Sequence, residues 1–83
     1  MTQAIASRYA LEFAHAGTRF QVIDLPSSGR IQLWFAPAGE TVWQLGHSKD
    51  VPAHMTVQAA MQLVRMLIRG DIDHDEYNAA LPR

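Results

Sequence analysis

Asp71, Asp73 and Asp75 stand at the first, third and fifth positions of an EF-hand loop. Carboxylates at that spacing could wrap a hard divalent cation. The rest of the loop is missing. Its sixth position, where Gly allows the sharp turn, is Glu76, and its twelfth, where a bidentate Glu closes the shell, is Pro82. The acids read instead as helix-start residues that complement the positive end of a dipole. His15, His47, His54 and His74 are the nitrogen ligands available to a metal. None is paired at helical i, i+4 spacing, and there is no cysteine to assist. They read as solvent-facing turn histidines. His47, Ser48 and Asp50 include the residue types of a hydrolase triad. Near neighbours in one connector seldom reach the aligned geometry a nucleophile needs, and no nucleophile elbow is present. Ser27-Ser28-Gly29-Arg30 could offer backbone N–H groups to a phosphate, but it lacks the Lys and helix start of a P-loop. A hairpin turn explains it. No complete catalytic, metal or cofactor constellation emerges. The expectation is a protein that is not an enzyme and uses no cofactor.

Residues suited to binding are better represented. In the stretch Arg30-Ile31-Gln32-Leu33-Trp34-Phe35, apolar Ile31, Leu33 and Phe35 alternate with the others. If those three face a core, Trp34 faces away beside Arg30 and Gln32. An outward Trp near an Arg is a common interface anchor. The competing arrangement buries Trp34 under tail residues Tyr77 or Leu81. A second candidate surface lies further on. Gln58, Gln62, Arg65 and Arg69 form a helical stripe, with Leu63 and Met66 beside it. Leu63 and Met66 widen the apolar arc beyond what one small sheet would cover, which suggests a helix-mediated contact or a dimer.

The elements that must position these residues follow from a change of hydrophobic period near residue 50. Before it, apolar residues alternate. Tyr9, Leu11 and Phe13 form one strand pattern, Phe20, Val22, Ile23 and Leu25 a second of unclear register, Ile31 to Phe35 a third, and Val42, Trp43 and Leu45 a short fourth. Ala16-Gly17, Pro26 to Gly29 and Pro37 to Glu40 are the intervening turns. A rival reading makes residues 3–15 a helix, with Ile5, Tyr9 and Phe13 at i, i+4, i+8. Residues 46–52 read as a polar connector. Beyond it, Val57, Ala60, Met61, Val64, Leu67 and Ile68 share one helical face, opened by Thr56 and stopped by Gly70. Asp73 and Glu76 have capping-box spacing, and Ile72 and Tyr77 can staple it, which predicts a short helix from about His74 to Leu81. The fold expected is α+β: an antiparallel meander of three or four strands, one long helix packed on it, and a short C-terminal helix. It forms one domain over residues 1–83, with the sheet in 1–46 and the helical part in 51–83.

Composition narrows the partners. The chain is 48% apolar and 18% charged, which is globular rather than disordered. Residues 1–70 carry six Lys/Arg against four Asp/Glu, and residues 71–83 carry one Arg against four acids. That balance lacks the dense cationic patch of a non-specific nucleic-acid binder. The start lacks a basic signal-peptide region, Arg8 and Glu12 interrupt it, and no segment suits a membrane span. The expected location is the cytoplasm.

The run Gly70-x-Ile72-x-x-x-Glu76-Tyr77 resembles the ending of the short C-terminal helical domain SHOCT. That resemblance implies a small helical appendage used for oligomerisation or docking. In size and in its sheet-plus-helix layout the chain is similar to phage-encoded anti-host proteins, including anti-CRISPR proteins. This implies steric inhibition of a larger protein or nucleoprotein assembly. The expected binding residues are therefore Arg30, Gln32, Trp34, Gln62, Leu63, Arg65, Met66 and Arg69, with a homodimer as a further arrangement. The alternative function is nucleic-acid binding, with Trp34 stacking on a base and Arg30, Arg65 and Arg69 holding phosphates.

Overall fold

In a computed structural model, residues 10–83 are described. Tyr9 and the first residues of the rival helix lie outside them. The described part contains strands β1 (Ala10–His15), β2 (Thr18–Leu25), β3 (Arg30–Ala36) and β4 (Gln44–Asp50), then helices α1 (Val57–Arg69) and α2 (His74–Ala80). The strands form one antiparallel sheet in the order β1-β2-β3-β4. This is the expected α+β meander followed by a long and a short helix. Residues 10–15, contested between strand and helix, are strand.

Local chemistry explains the elements. His15 pairs with Thr18, so Ala16-Gly17 is a two-residue hairpin loop. Both residues have positive φ, 51° and 83°, as the right-handed twist of the flanking strands requires. Thr56 caps α1 by accepting the Ala59 N–H at 3.1 Å. Gly70 ends it, its N–H donating to the Leu67 and Met66 carbonyls. The capping box of α2 is complete. Asp73 accepts the Glu76 N–H at 2.8 Å, and Glu76 accepts the Asp73 N–H at 3.1 Å.

The core lies between one face of the sheet and the helices. Val22, Ile31 and Leu33 meet Ala60, Met61 and Val64 of α1, and Tyr77 and Leu81 at the chain's end. Phe13 and Phe20 stack at its margin, with centroids 5.2 Å apart. The main-chain packing is two layers thick, with extents of 35 × 34 × 16 Å.

Two sequence expectations need correction. The fourth strand is not Val42–Leu45; it runs from Gln44 to Asp50, through the residues read as a connector. The sheet therefore extends to residue 50, beyond the expected limit of 46. An edge strand pairs on one side only and tolerates polar residues and Lys, so no apolar alternation marked it. Its register breaks at Gly46. Leu33 faces His47 while Trp34 faces Leu45, leaving Gly46 as the extra residue of a bulge. A Cβ on Gly46 would stand 3.2 Å from the Leu33 carbonyl oxygen, so the close approach favours glycine. In β2, the inward residues are Phe20, Val22 and Asp24, with Ile23 on the opposite face. An inward Asp beside outward Ile23 and Leu25 is why the register was not legible.

Met61 is buried and Gln62 is exposed. Met61→Ala is expected to cost about 2–5 kcal/mol, the usual range for truncation in a core, and Gln62→Ala under about 0.5 kcal/mol. Equal shifts of the denaturant midpoint would show that α1 is docked by a different face.

Candidate functional site

Pairing across the four strands assigns each side chain to one face. Leu11, Val22, Leu33 and His47 form one row on the helix-covered side. On the other side, Glu12, Gln21, Trp34 and Leu45 form a row, and Ala10, Ile23, Gln32 and Ser48 form the next. No described helix packs on this second face. Trp34 thus lies with Arg30 and Gln32 on the side away from the helices, as β alternation required. Tyr77 and Leu81 do not cover it; both are buried in the core on the opposite side.

The Trp34 face is an ordered mixture of apolar and polar groups. The indole N–H donates to Gln32 Oε1 at 3.1 Å, which satisfies the ring's polar tip and fixes its direction along the strand. Gln21 donates to Glu12 Oε2 at 2.9 Å on one flank. On the other, Arg30 donates from Nε to Ser48 Oγ at 2.9 Å and from a terminal nitrogen to Asp50. Leu45 stays 51% exposed beside Trp34, and Val42 in the preceding loop 68% exposed. That loop is held by Arg19, which donates to the Glu40 carbonyl at 2.9 Å and stacks over Trp43 at 5.0 Å.

These contacts revise the roles expected of several residues. Arg30 is not a free cation, because Asp50 neutralises it within the sheet. Ser48 and Asp50 point to the Trp34 face while His47 points to the helices, so a period of two separates the residues of the apparent triad. On α1, Gln62 and Arg69 are exposed, and Arg65 and Met66 are half-buried. Arg69 lies 3.8 Å from Asp71. Leu63 packs against the core rather than standing free. Because α1 turns Ala60, Met61 and Val64 to the sheet, its outer stripe lies on the far side of the molecule from Trp34. The eight residues expected to bind therefore fall on two separate surfaces, Arg30, Gln32 and Trp34 on one and the residues of α1 on the other.

Sequence reasoning missed a second constellation. His47 and Lys49, two apart on β4, face α2. The Tyr77 hydroxyl lies 2.7 Å from His47 Nε2, and the rings meet edge to face at 5.7 Å. Lys49 donates to Asn78 Oδ1 at 3.1 Å and sits 5.4 Å from the Tyr77 ring centre. The available signal was the spacing of His74, Tyr77 and Asn78, which share a helical face at i, i+3, i+4. Burial and, secondarily, the Lys49 charge lower the His47 pKa from 6.5. The neutral ring then accepts the Tyr77 O–H. Burial raises the Tyr77 hydroxyl to about 12. Among the described residues, no cluster of His, Asp or Glu could hold a metal ion, and no helix is long and apolar enough to cross a membrane.

The sequence model of one family, described as Mycobacterium phage L5 gene 74 protein, matches residues 11–83. The chain belongs to this phage protein family. No curated protein and no solved structure matches it. The phage kinship suggested by layout is thus found at the level of sequence. The SHOCT-like run at residues 70–77 falls within the matched region of a different family.

The lowered His47 pKa has a defined pH consequence. The unfolded chain binds the proton more readily, so stability is fully present above about pH 6.5 and falls as the pH drops below it. The unfolding midpoint should decline between pH 6.5 and about pH 5, above the carboxylate range, and His47→Gln should flatten that decline. At the alkaline end, stability should fall from pH 10 towards about 12, as Tyr77 ionises first in the unfolded chain. Identical acid limbs in wild type and His47→Gln would contradict the assignment.

Proposed function

We propose that this phage protein is a non-catalytic docking module. It binds a larger protein or nucleoprotein assembly in the host cytoplasm and acts by covering that partner's working surface. An anti-host, inhibitor-like role of the anti-CRISPR kind belongs to this reading. The observation that carries it is the sheet face bearing Trp34. One side of the sheet is covered by helices. The other presents a tethered indole beside Ile23 and Leu45, ringed by internally paired polar groups. A rigid aromatic anchor inside a polar ring is what binding hot spots are built from. Paired rim charges fix orientation.

A protein surface fits this face better than a nucleic acid. Arg30 is already neutralised by Asp50, Glu12 stands on the same face, and Arg65 and Arg69 belong to the opposite layer. A second copy of the chain could occupy the face only at the partner's expense, so self-association should compete with capture.

Trp34→Ala should retain a cooperative unfolding transition and weaken the partner's binding at least about ten-fold, as truncated anchors do. Met66→Gln, on the outer side of α1, should leave affinity unchanged. The protein serves as bait in host lysate, mass spectrometry identifies the partner, and the purified pair is titrated across salt concentrations. A folded Trp34→Ala variant with wild-type affinity contradicts the reading. A steep fall of affinity with salt would transfer it to nucleic acid.

A further inference from the structure

Between β4 and the two helices lies a groove of about 470 Å³, within the range of small-molecule sites. Its rim carries His47, Lys49, His74 and Asn78, and Leu67 and Ile68 of α1 line its apolar side. Among the described residues, no carboxylate lines it. The acids that open α2, Asp73, Asp75 and Glu76, are absent from its walls. Lys49 has three N–H donors; one goes to the neutral Asn78 amide, and the ammonium meets no carboxylate among the described residues. An unneutralised ammonium beside two imidazoles, over aliphatic side chains, is complementary to an anion with an apolar body.

We infer that this groove binds a small organic carboxylate with an aliphatic tail. Its head meets Lys49 and the imidazole of His74, and its tail lies on Leu67 and Ile68. The site is on the helix side of the sheet and stands independently of the docking face around Trp34. The tail gains the burial free energy of apolar surface, and the head gains a charge-assisted hydrogen bond from Lys49.

Octanoate is the probe, followed by amide and side-chain resonances of the full chain. Expected are saturable shifts confined to β4, Leu33 of β3, the C-terminal half of α1 and α2, including the ring resonances of His47 and His74. Octylammonium at the same concentrations should leave those resonances in place. Lys49→Gln should weaken octanoate binding about ten-fold or more, Lys49→Arg should largely restore it, and Trp34→Ala should not change it. The proposal is overturned by equal binding of octanoate and octylammonium, by wild-type affinity in a folded Lys49→Gln variant, or by shifts that map elsewhere. Tighter binding of an acetylated dipeptide with a free C-terminal leucine would overturn the free acid in favour of a chain terminus.

Discussion

A single helix is too narrow to cover four strands. With side chains it is about 10–12 Å across, while the outer strands of such a sheet stand roughly 14 Å apart. α1 packs across β1, β2 and β3. The margin under β4 is left to the last ten residues, where Tyr77 and Leu81 enter the core. Tyr77 suits this place because it joins two environments. Its ring is buried with the apolar residues, and its hydroxyl meets the imidazole of a polar edge strand. A Phe would fill the volume and leave His47 without its partner. The capping box and the Gly70 stop set the angle at which this short segment returns to the sheet.

Committing both helices to one side leaves the other face of the sheet to different physics. Its side chains are not packed by a second layer of the described chain, so they are fixed by each other. Trp34 is tied to Gln32, Gln21 to Glu12, and Arg30 to Ser48 and Asp50. Such pairs contribute little to stability at an exposed surface. They do reduce the freedom that a partner would otherwise have to remove on binding. Trp34 thus stands as a rigid feature on a face whose polar groups are already matched.

Much of the fold was legible because strong local signals agreed. The alternation of Ile31, Leu33 and Phe35, the apolar stripe of α1, the caps at Thr56, Gly70 and Asp73, and the Ala16-Gly17 turn each have a short-range cause. β4 was hidden because edge strands need no apolar pattern, and Gly46 shifts its register in mid-strand. The side on which Trp34 lies followed from a period of two. The neutralisation of Arg30 did not, because Asp50 is twenty residues away and is brought opposite only by β3–β4 pairing. Leu63 looked surplus to a small sheet; the broad contact of α1, extended by the tail, gives it a place at the core margin. The groove formed by His47, Lys49, His74 and Asn78 depends on two elements meeting in space. Only the helical spacing on α2 hinted at it.

The central claim is that the sheet face carrying Trp34, and not the outer side of α1, receives the partner. Oxidative side-chain footprinting of the purified complex, read against the free protein, tests it without altering any residue. The account predicts lowered labelling of Trp34 and Leu45 in the complex, with Met66 labelled as in the free chain. Protection of Met66 with Trp34 and Leu45 labelled as before would contradict it.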